Sequence, residues 1–107
     1  MKSFGEFIRE ARTSRRLLLR EVAASLQIDP SLLSRIERGD KRPTRGQVIQ
    51  LASILKANEN ELLVHYLSDR VVYELKGEKL AMKAMVAAEK KIAYLRKGKR
   101  GKRDIGI

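Results

Sequence analysis

The chain has 107 residues, with no cysteine, no tryptophan, two prolines and one histidine. Without cysteine there are no disulfides and no thiolate chemistry, and a reducing compartment is permitted. The lone histidine, His65, leaves no zinc ligand set, so neither metal nor cofactor is expected. Catalysis also lacks a constellation. There is no Gly-rich phosphate loop, no nucleophile beside a base and no carboxylate pair spaced across a plausible cleft, so the chain is not expected to be an enzyme. No apolar run approaches the roughly 20 residues that cross a bilayer. The opening stretch MKSFGEFIREARTSRR lacks the apolar core of a signal peptide. A soluble, cytoplasmic protein without a membrane partner is expected.

Positive charge is abundant. Against 13 acidic residues stand 24 Lys and Arg, giving a formal charge of +11 and a pI near 10.4. Such an imbalance favours polyanionic partners through long-range attraction and counterion release, with nucleic acid ahead of an anionic membrane surface. Residues 1–67 carry 12 basic and 8 acidic residues, whereas 68–107 carry 12 and 5, so the C-terminal part is the more basic.

Helix start signals recur along the first 67 residues. Ser3-Phe4-Gly5-Glu6 fits a capping box, followed by Phe4, Phe7, Ile8 and Ala11 at helical spacing. LLLREVAASL places Leu19, Val22, Ala23 and Leu26 on one face. Asp29-Pro30 combines an N-cap acceptor with a proline at the first helical position, where the missing N–H has no intrahelical partner to lose. That third helix runs to Arg38 and stops at Gly39. Thr44-Arg45-Gly46-Gln47 and Asn58-Glu59-Asn60-Glu61 repeat the capping device for a fourth and a fifth helix. No strand pattern is present, and an all-α domain of five short helices over residues 1–67 is expected.

The third helix contains SLLSRIERGD, Ser31 to Asp40. Leu33 and Ile36 face inward with Glu37 beside them, which leaves Ser31, Ser34, Arg35 and Arg38 on the outer face. Short hydroxyls and a forked guanidinium on a helix entered by a sharp turn suit the DNA major groove, where arginine bonds both O6 and N7 of guanine. On these residues alone, a solvated basic face is an equal reading.

A wider pattern favours the groove. Glu21-Val22-Ala23, Leu26, Ile28, Leu33-Ser34, Glu37, Gly39 and Arg42-Pro43 fall in the register E-L-A-x-x-L-G-V-S-x-x-x-I-S-x-x-E-x-G followed by basic residues and proline. From about Phe4 to Leu67 the sequence thus resembles the phage-repressor-like (Xre, lambda-repressor-like) helix-turn-helix regulators. The resemblance implies that the third helix is the recognition helix and that Ser31, Ser34 and Arg35 face bases. It implies phosphate contacts for Arg38, Lys41 and Arg42, and a pairing of Glu37 with Arg12 that holds the helix in place. Two positions depart from the family. Leu18 and Leu19 stand where a Ser or Thr cap and a phosphate-binding Gln are usual, which costs about 1 kcal/mol of capping and passes the phosphate role to Arg16 or Arg20. Pro30 replaces a position that is polar in some members, so fewer side chains remain for direct readout. Leu32 either meets a thymine methyl or covers the turn, the second being preferred.

Beyond residue 67 the character changes. DRVVYELKG looks like a further helical stretch ending near Gly77, and a long amphipathic helix follows within a helical extension, 68–96. Ala81, Met85, Ala88, Ile92 and Leu95 recur at steps of 4, 3, 4 and 3, the spacing of a seam that packs on another helix. A dimer seam is preferred over packing back on the same domain, and both over a membrane-surface helix. Residues 97–107 are expected to be a flexible basic tail; the six basic residues between Arg96 and Arg103 suit a phosphate-following arm. The expected protein is a nucleoid-associated transcriptional regulator, a homodimeric repressor on double-stranded DNA with a palindromic operator. The alternatives are an antitoxin-like module that neutralises a protein partner and a controller of restriction-modification genes.

Overall fold

A computed structural model describes residues 2–99. Its elements are α1 (Phe4–Ser14), α2 (Leu19–Leu26), α3 (Pro30–Arg38), α4 (Arg45–Ile54), α5 (Glu59–Leu75) and α6 (Ala81–Lys99), with no strand among the described residues. No helix among them is long and apolar enough to cross a membrane.

The starts of the helices follow the local chemistry. Ser3 Oγ accepts from Glu6 N–H while the Glu6 carboxylate accepts from Ser3 N–H, and Thr44 and Gln47 make the same reciprocal pair at α4. Asn58 Oδ1 takes Glu61 N–H at 2.8 Å to open α5. At α2 only half of the device exists: the Glu21 carboxylate accepts from Leu18 N–H at 2.7 Å, but leucine has no acceptor to return. Among the described residues, three that are not glycine, Arg16, Gln27 and Lys56, take positive φ of 58°, 59° and 53° just beyond helices.

Two units divide within α5, after Val72. In the first, the apolar stripes of α1 to α5 meet in one core that includes Ile8, Val22, Leu33, Val48, Leu51 and Leu62, all nearly inaccessible to water. Phe4 stacks edge-on to Tyr66, and Phe7 lies 4.6 Å from His65, which makes this histidine a packed side chain. In the second unit, α6 is largely exposed along its length.

The extension differs from expectation in two respects. The division expected after Leu67 falls inside a continuous helix, because Asp69 does not cap a new one: its Oδ2 accepts from Phe4 N–H at 2.9 Å and joins α5 to the start of α1. The first residues of the tail expected from Lys97 are helical, since α6 continues through Gly98 to Lys99. The remaining basic residues of the expected arm, Arg100, Lys102 and Arg103, lie outside the described residues.

Candidate nucleic-acid interface

The interface is built on α2, a short turn and α3. Ala23 O and Ala24 O accept from Ile28 and Gln27 N–H, both at 3.0 Å, which closes α2 with Gln27 in the left-handed region. The chain then redirects through Ile28 to Asp29. Asp29 Oδ1 accepts from both the backbone N–H and the hydroxyl of Ser31, each at 2.9 Å. These two bonds, the backbone one first, hold the Asp29 carboxyl below its ordinary pKa of 3.8. Pro30 follows at the first helical position.

Leu33, Ile36 and Glu37 are buried, which leaves the other side of α3 to solvent. Arg35 is exposed, and among the described residues its guanidinium has no hydrogen-bond or ion-pair partner. Ser34 is half-buried and its Oγ accepts from Arg38 Nη1 at 3.1 Å, while Arg38 Nε pairs with Asp40 Oδ2 at 3.1 Å. Ser31 and Ser34 are thus engaged in local bonds, and the Arg35 guanidinium is the unengaged polar group between them on that face. Leu32 is half-buried against the core, in keeping with its covering the turn.

The residues expected at phosphates are all exposed: Arg16 just past α1, Arg20 in the first turn of α2, Arg38 at the end of α3, and Lys41 and Arg42 in the loop before α4. The expected seam residues share one side of α6, with Met85, Ala88 and Ile92 exposed and Ala81 and Leu95 half-buried.

Two devices fix α3 from behind. Arg12 forms a bidentate pair with Glu37, Nε to Oε2 at 2.7 Å and Nη2 to Oε1 at 3.1 Å, and its Nη1 donates to Leu17 O at 2.9 Å. The pair is almost out of water, with side-chain exposures of 13% and 7%. Second, Gly5 lets α1 approach the end of α3 so closely that a Cβ there would sit 2.6 Å from Ile36 O and closer still to Glu37 O. In the sequence Gly5 reads only as part of a capping box. A glycine in the first turn, where a better helix former is usual, was the available signal.

Residues 3–63, more than half of the chain, match the family of helix-turn-helix domains. The chain belongs to the helix-turn-helix domain family. Membership marks this helix-turn-helix segment as a DNA-binding module, with α3 the helix that follows its turn. The fold also resembles the crystal structure of the clp gene regulator ClgR from Corynebacterium glutamicum, with a TM-score of 0.54 at 23% identity, covering 85% of this chain and 83% of that one. No curated protein matches the sequence.

Proposed function

We propose that the protein is a transcriptional repressor that binds a roughly palindromic operator as a homodimer. The observation that carries this reading is the outer face of α3, where an unengaged Arg35 stands between Ser31, Ser34 and Arg38 on a helix clamped from behind by Arg12–Glu37. Arg35 reads a guanine through O6 and N7, Ser31 and Ser34 approach neighbouring base edges, and Arg16, Arg20, Arg38, Lys41 and Arg42 set the register on phosphates. A single module reads only a few base pairs. Two related by a dyad place their recognition helices about 34 Å apart on one face of B-DNA, which turns two weak contacts into one selective one. The Ala81, Met85, Ala88, Ile92 and Leu95 side of α6 supports the pairing. Blocking access of RNA polymerase is the simplest mode of repression, and the reading includes no catalytic step.

Sedimentation with and without the residues after Lys76 tests the dimer. The core residues all precede Lys76, so the truncated chain retains them. A full-length dimer and a truncated monomer that has lost cooperative operator binding are expected. If both are dimers, the contact lies elsewhere in the first 76 residues, and the exposed side of α6 becomes available to a different protein, as in the antitoxin-like reading.

A further inference from the structure

Helix α6 carries a second pattern besides its apolar seam. Lys83, Lys90 and Lys97 recur at steps of seven, so they form one row along the helix. Each is nine residues from a seam residue: Lys90 from Ala81, Lys83 from Ile92 and Lys97 from Ala88. Nine residues are about two and a half turns, which puts the row on the side opposite the seam. All three lysines are exposed, and among the described residues none of them is in a salt bridge. Glu89 is the one acidic residue of α6, and it lies about a quarter turn round from Lys90. Tyr94, 64% exposed, lies on the lysine side, four residues after Lys90 and three before Lys97.

A solvated face ordinarily mixes signs. This one presents three positive charges and a phenol with no carboxylate among them, a surface complementary to a regular row of anions. Successive lysines are about 10.5 Å apart along the axis, and the row spans about 21 Å. That is the axial length of about six base pairs, and lysine and tyrosine both bond phosphate oxygens without regard to sequence.

We propose that the Lys83, Lys90, Tyr94 and Lys97 side of α6 is a second DNA-contacting surface, which binds backbone phosphates of duplex DNA independently of the bases read by α3. The inference rests on the DNA-binding reading above. It gives α6 two occupied sides, a second copy of the chain on the seam and duplex phosphates on the lysine row. The contribution is to affinity and salt dependence, with no change in the preferred sequence.

The test compares the full-length protein with the triple variant Lys83→Gln/Lys90→Gln/Lys97→Gln, by titrating a selected duplex and a random duplex at several salt concentrations. Each lost phosphate contact lowers the slope of log K against log salt by about 1, so the triple variant should lose about 2 to 3 of slope on both duplexes. Between 50 and 200 mM salt its affinity should then fall by about 16- to 64-fold less than that of the wild type. Sedimentation and helicity should be unchanged, and the arginine triple variant should keep the wild-type slope. A control triple, Lys2→Gln/Lys56→Gln/Lys76→Gln, removes equal charge elsewhere and should retain most of the slope. An unchanged slope in the α6 variant overturns the proposal while leaving the α3 reading intact. An equal loss in the control also overturns it, since net charge alone is then responsible. If the wild type binds no duplex, both readings fail together. If the α6 variant keeps its slope on DNA but no longer binds vesicles rich in anionic lipid, the row belongs to a membrane surface and the proposal is wrong.

Discussion

Replacing Arg12 by methionine should be among the most damaging single changes in the first unit. The Arg12 and Glu37 side chains are 13% and 7% exposed and share two hydrogen bonds, at 2.7 and 3.1 Å. Removing the guanidinium leaves a buried carboxylate with no counter-charge, a change that costs about 3–5 kcal/mol. Loss of the bond to Leu17 O adds about 1 kcal/mol. A domain of this size is stabilised by about 0.05–0.15 kcal/mol per residue, so the variant should retain little stability. Urea denaturation followed by helicity reads the cost. With an m-value of about 1–1.5 kcal/mol/M, the midpoint should fall by about 2 M or more, or the variant should be unfolded without denaturant. The double variant Arg12→Met/Glu37→Leu removes both charges. It should recover most of the loss, leaving about the cost of the Leu17 bond. A cost below about 1 kcal/mol for Arg12→Met, or strictly additive costs in the cycle, would refute the claim that this pair holds α3 in place.

Gly5→Ala should destabilise by about 1–3 kcal/mol through overpacking against the Ile36 and Glu37 carbonyls, despite alanine's better helix propensity. Thermal melting checks this, and a raised Tm would contradict the close approach. Leu18→Ser, at an exposed N-cap with extended φ of −79° and ψ of 150°, completes the capping box with Glu21 and should stabilise by about 1 kcal/mol in the same assay. The depressed pKa of Asp29 means that its carboxylate contributes stability above pH 3.8, and that this contribution is lost as pH falls through the lower folded-state value. Asp29→Asn should remove that part of the acid dependence, which a comparison of the two stability profiles from pH 6 downward reads directly.

The helix starts of the first unit were legible because each is a local interaction. Ser3 with Glu6, Asp29 with Pro30, and Thr44 with Gln47 lie within four residues of each other, and the structure uses all three. The pairing of Arg12 with Glu37 came from the resemblance and is present at hydrogen-bond distance. What local reasoning missed depends on distant partners. The change of character beyond residue 67 suggests a separate stretch, but Asp69 accepts from Phe4 N–H, 65 residues away, and α5 runs through it. Gly5 matters because of carbonyls on another helix, and Arg15, whose Nε donates to Leu55 O at 2.7 Å, ties the end of α1 to the end of α4. At the site, position on the outer face was readable, but engagement was not. Only the structure distinguishes Ser31 and Ser34, already bonded to Asp29 and Arg38, from an unengaged Arg35.

In the proposed function, α3 reads duplex DNA through Arg35 from a symmetric pair of modules. Selection of bound sites from random duplex DNA by the full-length protein, repeated with Arg35→Ala, tests it most directly. A two-fold symmetric consensus is expected, with half-site centres about one helical turn apart and a guanine at corresponding positions of the two halves. In Arg35→Ala those two positions should become degenerate, with a loss of about 1–3 kcal/mol in specific binding, while the flanking preference persists. No enriched sequence, or an unchanged consensus in Arg35→Ala with a uniform loss of affinity on all DNA, would contradict it.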